Sequence, residues 1–190
     1  MRLPGRLATL LLAVILVAGC GTAATEDADD PTPSADPSTP ASRPQDSPAK
    51  TPDKAAPVPE TLAFSATTVG GEAFEGASLA GRPTLLWFWA PWCPTCRSQI
   101  SQVESLASTY DGELHVIGVG SLDSAEAIAE FAGDVEGVTH LEDTEGELFR
   151  RFGIAEQSSF VLLDADGEVA FETGYGGSDD LDQQVEGVLG

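Results

Sequence analysis

Two cysteines separated by two residues stand in the segment Trp87-Phe88-Trp89-Ala90-Pro91-Trp92-Cys93-Pro94-Thr95-Cys96-Arg97. Thiols at that spacing can close a disulfide within one helical turn and cycle between dithiol and disulfide, or they can supply half of a metal site. A buried strand ahead of them would deliver Cys93 to the N-terminus of a helix, where unpaired N–H groups and the helix dipole favour negative charge. That setting suits Cys93 to be the attacking sulfur of the pair. Cys96 is expected to be the more buried, resolving thiol, which expels the partner from a mixed disulfide on Cys93. Pro94 suits the first turn of the helix, having no N–H to leave unbonded.

The flanking sequence supplies the elements this scheme needs. Residues 84–89 (TLLWFW) form a continuous apolar run, as in a central strand buried on both faces. Over residues 97–110, Ile100, Val103, Leu106 and Ala107 recur at helical spacing. Upstream, residues 62–69 turn at Gly70-Gly71 toward residues 73–75 and suggest a small hairpin. Downstream, the pattern predicts a strand over 114–119, a helix over 124–132 with Ser124 near its N-cap, and a helix over 145–152 closed by Gly153. Strands over 160–163 and 169–172 are joined by the turn Asp164-Ala165-Asp166-Gly167, and a last helix runs over 178–189. The order ββ-βαβα-α-ββα calls for an α/β fold with a mixed central sheet and helices on both faces.

A metal centre is the competing use of the thiols. No second CxxC exists, and the two histidines lie in apparent strands, His115 between Leu114 and Val116 and His140 within Val138-Thr139-His140-Leu141. Both read as structural, which argues against four-ligand zinc. The acidic turn at 164–167 lacks the rest of a calcium loop and reads as a hairpin turn.

The FWAPWCPTCR segment resembles the active site of the thioredoxin superfamily, and the resemblance covers about residues 60–190. The N-terminal hairpin and the insert around 120–141 look like the extracytoplasmic TlpA/DsbE-like branch, the redoxins. The resemblance implies a thioredoxin fold, dithiol–disulfide exchange with protein thiols, and no dissociable cofactor. Trp92 would then shape the docking surface, with Pro94, Thr95, Gln157 and Ser158 around the pair. Two positions depart from the family. Its buried aspartate, six residues before the first cysteine, is replaced by Trp87, and its cis-proline by Ser158 in Ala155-Glu156-Gln157-Ser158-Ser159-Phe160. A cis bond ahead of a non-proline residue costs about 2.5–4 kcal/mol, so the Gln157–Ser158 bond is expected to be trans. The Ser158 hydroxyl could face the Cys93 sulfur, stabilising its thiolate or helping to hold a metal. An alternative function is therefore a copper- or zinc-handling module using Cys93 and Cys96 with Ser158 or His140. Pro94-Thr95 fixes no direction, and both oxidative folding and disulfide reduction fit.

The third cysteine has a different context. Residues 1–20 read MRLPGRLATLLLAVILVAGC, with Arg2 and Arg6 ahead of an apolar stretch too short for a comfortable bilayer span. The ending Val17-Ala18-Gly19-Cys20 resembles the lipobox of bacterial lipoproteins, which implies cleavage before Cys20 and its lipidation. Residues 1–19 are thus expected to be a signal peptide, 20–59 a lipid-anchored tether rich in Pro, Asp and Thr, and 60–190 the folded domain. The tether holds too little apolar surface to offset its conformational entropy. The formal net charge of -22 repels phosphate backbones and anionic headgroups, which excludes nucleic acid. The expected setting is outside the bacterial cytoplasm, as a monomer anchored at Cys20. Its expected partners are exported protein thiols or disulfides and a membrane redox protein that resets the pair.

Overall fold

The structure, a computed structural model, describes residues 58–190. The expected signal peptide, Cys20 and the expected tether as far as residue 57 lie outside the described residues.

Seven strands form one mixed sheet in the order β2-β1-β5-β4-β3-β6-β7. β1 (Ser65–Thr68) and β2 (Ala73–Glu75) are the expected hairpin, paired antiparallel with Ser65 opposite Glu75. β3 (Thr84–Trp89) is buried along its whole length, and its continuous apolar run follows from having helices or turns over both faces. It pairs in parallel with β4 (His115–Ser121) and antiparallel with β6 (Ser159–Leu163). β5 (Thr139–Asp143) lies parallel to β4 and antiparallel to β1, and β7 (Val169–Glu172) closes the other edge beside β6.

Alternate residues of β3 feed two cores. Leu85, Trp87 and Trp89 pack under α1 (Pro94–Thr109), α2 (Ala125–Ala132) and α4 (Leu181–Leu189). Leu86 and Phe88 face Leu148 and Phe149 of α3 (Glu147–Arg151), with Leu62 and Leu79 from two short 3-10 turns. Helices thus cover both faces, as the pattern required. Ser124 caps α2 by accepting from the Ala127 N–H at 3.3 Å, and Gly153 takes φ +68° just past α3. The turn at 164–167 is a hairpin turn, its Asp164 carboxylate accepting from the N–H groups of Asp166 and Glu168 at 2.9 Å each.

α1 starts at Pro94 with Cys93 as its N-cap, as expected from the placement of Cys93 at a helix N-terminus and Pro94 in the first turn. Two elements differ from expectation. The order ββ-βαβα-α-ββα leaves out β5, although His140 lies in a strand as expected; its residues alternate between the two cores and show no apolar run, His140 pointing to one side and Leu141 and Asp143 to the other. α4 starts at Leu181, after a turn in which the Ser178 carbonyl accepts from the Leu181 N–H at 3.3 Å.

Candidate active site

β3 ends at Trp89 and α1 begins at Pro94, so the chain turns over Ala90 to Trp92 and sets Cys93 at the helix N-cap. The turn is held by the Cys93 N–H donating to the Ala90 carbonyl at 3.1 Å. The Cys93 sulfur accepts from the Cys96 N–H, also at 3.1 Å, which uses one of the helix's first free donors. Pro94 occupies the first turn as expected. Both thiols are free.

The expected difference in burial is absent. Cys93 is 1% exposed and Cys96 0%, because the Trp87, Trp89 and Phe160 layer below and α1 itself enclose both. The roles divide by position instead: Cys93 at the cap, Cys96 inside the first turn. Burial, followed by the contact with Cys93, pushes the Cys96 thiol up to about 12, while the Ala90 backbone and the Ser158 hydroxyl pull in the other direction.

Around the pair stand three further segments. Trp92 is 55% exposed, and its indole N–H donates to the Leu122 carbonyl at 3.2 Å. Leu122 is exposed and takes φ +64°, a left-handed conformation rare for a side chain of this size. On the other side, the Thr95 hydroxyl and the Tyr175 phenol share a hydrogen bond of 2.7 Å. Gln157 shares a shallow depression with Glu156 and Tyr175.

Ser158 stands between these segments. Its N–H donates to the Phe88 carbonyl at 2.7 Å, and its carbonyl accepts from the Gly176 N–H at 2.9 Å. The residue is fully buried at φ +64°. Its hydroxyl favours the ionised form of the Cys96 thiol, against the rise that burial imposes. It has no partner in full hydrogen-bond geometry.

The aspartate missing at position 87 leaves a different arrangement. The Trp87 indole N–H donates to the Gln99 side-chain oxygen at 3.0 Å. His140 lies edge-on to Trp87 and Trp89, with ring centroids 6.3 and 5.4 Å away, and burial lowers its pKa to about 4. Among the described residues no three His, Cys, Asp or Glu side chains gather where they could hold a metal, so His140 does not join the thiols. His115 begins β4, opposite Thr84 and away from the cysteine end of the sheet.

Sequence reasoning missed Gln99, Leu122, Tyr175 and Gly176. Gln99 had a signal, since it shares a helix face with Cys96, Val103 and Leu106 and all four are buried. Tyr175 had a weaker one, an aromatic residue between Gly174 and Gly176-Gly177. Nothing in the sequence marked Leu122.

The fold and the paired thiols define a thioredoxin-type thiol–disulfide exchange domain. The chain belongs to the Redoxin family, whose family model matches residues 50–188. Soluble secreted antigen MPT53 of Mycobacterium tuberculosis is 35% identical over 113 residues, 59% of this chain and 65% of that protein, so this chain spans just under two thirds of that relative. The solved structure of MTB dsbF in its mixed oxidized and reduced forms is similar with a TM-score of 0.64 and 38% identity, over 69% of this chain and 98% of that one. A secreted Mycobacterium tuberculosis disulfide oxidoreductase, homologous to E. coli DsbE, is similar with a TM-score of 0.58 and 30% identity, over 67% and 98% of the two chains.

Proposed function

We propose that this chain is a membrane-tethered, extracytoplasmic thiol–disulfide oxidoreductase that exchanges disulfides with exported proteins through Cys93 and Cys96. The observation that carries the reading is the N-cap geometry, in which the Cys93 sulfur accepts from the Cys96 N–H at the head of α1. A negative sulfur is stabilised there, and the second thiol is within one turn of it. Cys93 attacks a client disulfide and forms a mixed disulfide, and Cys96 resolves it; run backwards, the same steps oxidise a client dithiol. Trp92, Thr95 and Gln157 shape the surface against which the client chain lies, while Ser158 is buried.

The location rests on the lipobox-like ending at Cys20 and on the secreted character of MPT53 and of the mycobacterial oxidoreductase. The acyl chains at Cys20 hold the domain near the membrane, where a membrane redox protein resets the pair. Neither metal nor cofactor takes part.

The test equilibrates the full chain in glutathione buffers, with and without copper or zinc, and reads Cys93 and Cys96 by alkylation. A reversible two-electron transition is expected, its midpoint giving the direction, and Cys93→Ser abolishes exchange. Retention of copper or zinc that blocks the transition would overturn the reading in favour of metal handling. Mass spectrometry of the mature N-terminus checks the lipid on Cys20.

A further inference from the structure

We propose that Ser158 is a catalytic residue of the exchange reaction, its hydroxyl donating a hydrogen bond to the Cys96 thiolate that forms when a mixed disulfide on Cys93 is resolved. The proposal rests on the exchange function above and adds the group that serves the second thiol.

Position is the first support. The Ser158 backbone is fixed on both sides, to Phe88 of β3 through its N–H and to Gly176 through its carbonyl. Gly176 in turn lies against the Thr95 methyl group, between the two cysteines in sequence, at 3.8 Å from where a β-carbon on the glycine would be. A non-glycine residue at φ +64° is disfavoured, and it persists here because the two backbone bonds hold it. The backbone from which the hydroxyl extends is therefore held against Phe88, near the end of the strand that leads into the redox pair.

The second support is the unpartnered hydroxyl. Ser158 is 0% exposed and its oxygen has no hydrogen-bond partner. Buried hydroxyls are almost always paired, since leaving one unpaired forfeits its hydration. A neutral thiol is a poor acceptor and does little to satisfy it. A thiolate is a strong one. The hydroxyl is thus poorly satisfied in the resting dithiol and well satisfied once Cys96 is ionised, which is the condition for accelerating a step that passes through the thiolate.

The third support is what else is near. With Trp87 in place of a carboxylate, no His, Asp or Glu joins the thiols in a cluster among the described residues. Besides Cys93, the side chain whose hydrogen bond acts on the Cys96 thiol is Ser158. Once Cys93 is bonded to a client sulfur, it no longer supplies a thiol to Cys96, and Ser158 remains.

The step balances as follows. The Cys96 thiol loses its proton to solvent, and Ser158 keeps its own. The thiolate attacks the Cys93 sulfur, the Cys93–Cys96 bond forms, and the bond from Cys93 to the client sulfur breaks. The electron pair leaves with the client sulfur, which takes a proton from solvent. The cysteine pair is oxidised by two electrons and the client disulfide reduced by two. In the reverse direction the same Cys96 thiolate is the leaving group and receives the same hydrogen bond.

The test uses the full chain in detergent with glutathione disulfide as the probe, quenched in acid and alkylated to follow the Cys93–glutathione intermediate. Ser158→Ala and Ser158→Gly both remove the hydroxyl, and the glycine also relieves the positive φ. Both are expected to form the intermediate at the wild-type rate but resolve it about tenfold more slowly, with the midpoint of the resolution–pH profile raised by about one unit. Wild-type resolution and midpoint in both variants would overturn the assignment. So would an equal slowing of both steps, which marks a merely structural role. A wild-type chain that forms no intermediate overturns the exchange function itself, and this assignment with it.

Discussion

On one face of the sheet Phe88 meets Phe149 edge to face at 5.2 Å and tilts against Phe152 at 5.7 Å, with Phe64 beyond. The buried Asp143 on that side spends its carboxylate on the N–H groups of Leu148 and Phe149, each at 3.1 Å, and so caps α3. On the other face Trp89 stacks on Phe131 at 4.3 Å, and Trp87 and His140 complete the layer beneath α1. Every buried side-chain polar atom without a partner among the described residues lies on this second side: Trp89 Nε1, Gln99 Nε2, both His140 nitrogens and the Ser158 hydroxyl. One face is built for packing, with its polar groups spent on capping. The other, which carries the thiols, retains polar groups that the fold alone does not need. Departures from full satisfaction gather where chemistry is done.

Emptying the first face should therefore cost stability and leave the chemistry alone. Phe149→Ala removes a buried ring from contact with Phe88, and large-to-small changes of this kind cost about 3–5 kcal/mol. Denaturant unfolding of the variant is expected to show that loss, while the redox midpoint of Cys93–Cys96 stays at the wild-type value. A midpoint that moved with the stability would break the division between the faces.

The same division governs what was legible in the sequence. β3 was readable to the residue, because a strand buried on both sides leaves an unbroken apolar run, and Ser124 was readable because N-cap chemistry is local. The Cys93-x-x-Cys96 pair was readable for the same reason, its cap and first turn lying within four residues. β5 was lost from the element order because its polar residues are recruited by distant partners: Asp143 by α3, and His140 by the space that Gly118 leaves open. A β-carbon on Gly118 would fall 2.1 Å from His140 Nδ1 and 2.9 Å from Trp89 Nε1, so that glycine admits both rings. The direction of the Ser158 hydroxyl was unreadable too, since it depends on a backbone fixed by Phe88 and Gly176, far apart in the chain.

Acid should separate the faces in a second way. Burial lowers the His140 pKa from 6.5 to about 4, so its contribution to stability is present above pH 6.5 and is lost as pH falls through 4. The loss amounts to about 3 kcal/mol once the imidazole must be charged. Asp143 works in the opposite sense. Burial raises its pKa, outweighing the N–H groups of Phe149 and Leu148, so acidification relieves a cost on the packing face. Thermal melts of wild type and His140→Phe between pH 7 and pH 4 isolate the first contribution. The wild type is expected to lose more stability than the variant, and parallel curves would show that His140 is not held neutral by its surroundings.

The rim of the redox face should be the least sensitive part. Arg97 pairs with Asp134 at 3.1 Å, but both side chains are more than half exposed, 52% and 59%. Such pairs contribute less than about 1 kcal/mol and are screened by salt. Arg97 also lies over the Phe131 ring, 4.8 Å from its centroid, and that ring is stacked on Trp89. A cation on an aromatic face contributes about 0.5–1 kcal/mol at an exposed site, and the guanidinium stem covers apolar surface whatever the ionic strength. Arg97→Ala and Asp134→Ala are therefore expected to differ. In low salt Asp134→Ala lowers stability by less than about 1 kcal/mol and Arg97→Ala by up to about 2 kcal/mol; in 1 M NaCl the effect of Asp134→Ala disappears while part of that of Arg97→Ala persists. Melting curves of the two variants at both salt concentrations decide it. If the two became equal at high salt, Arg97 would act through charge alone, and the aromatic layer under the thiols would owe nothing to its lid.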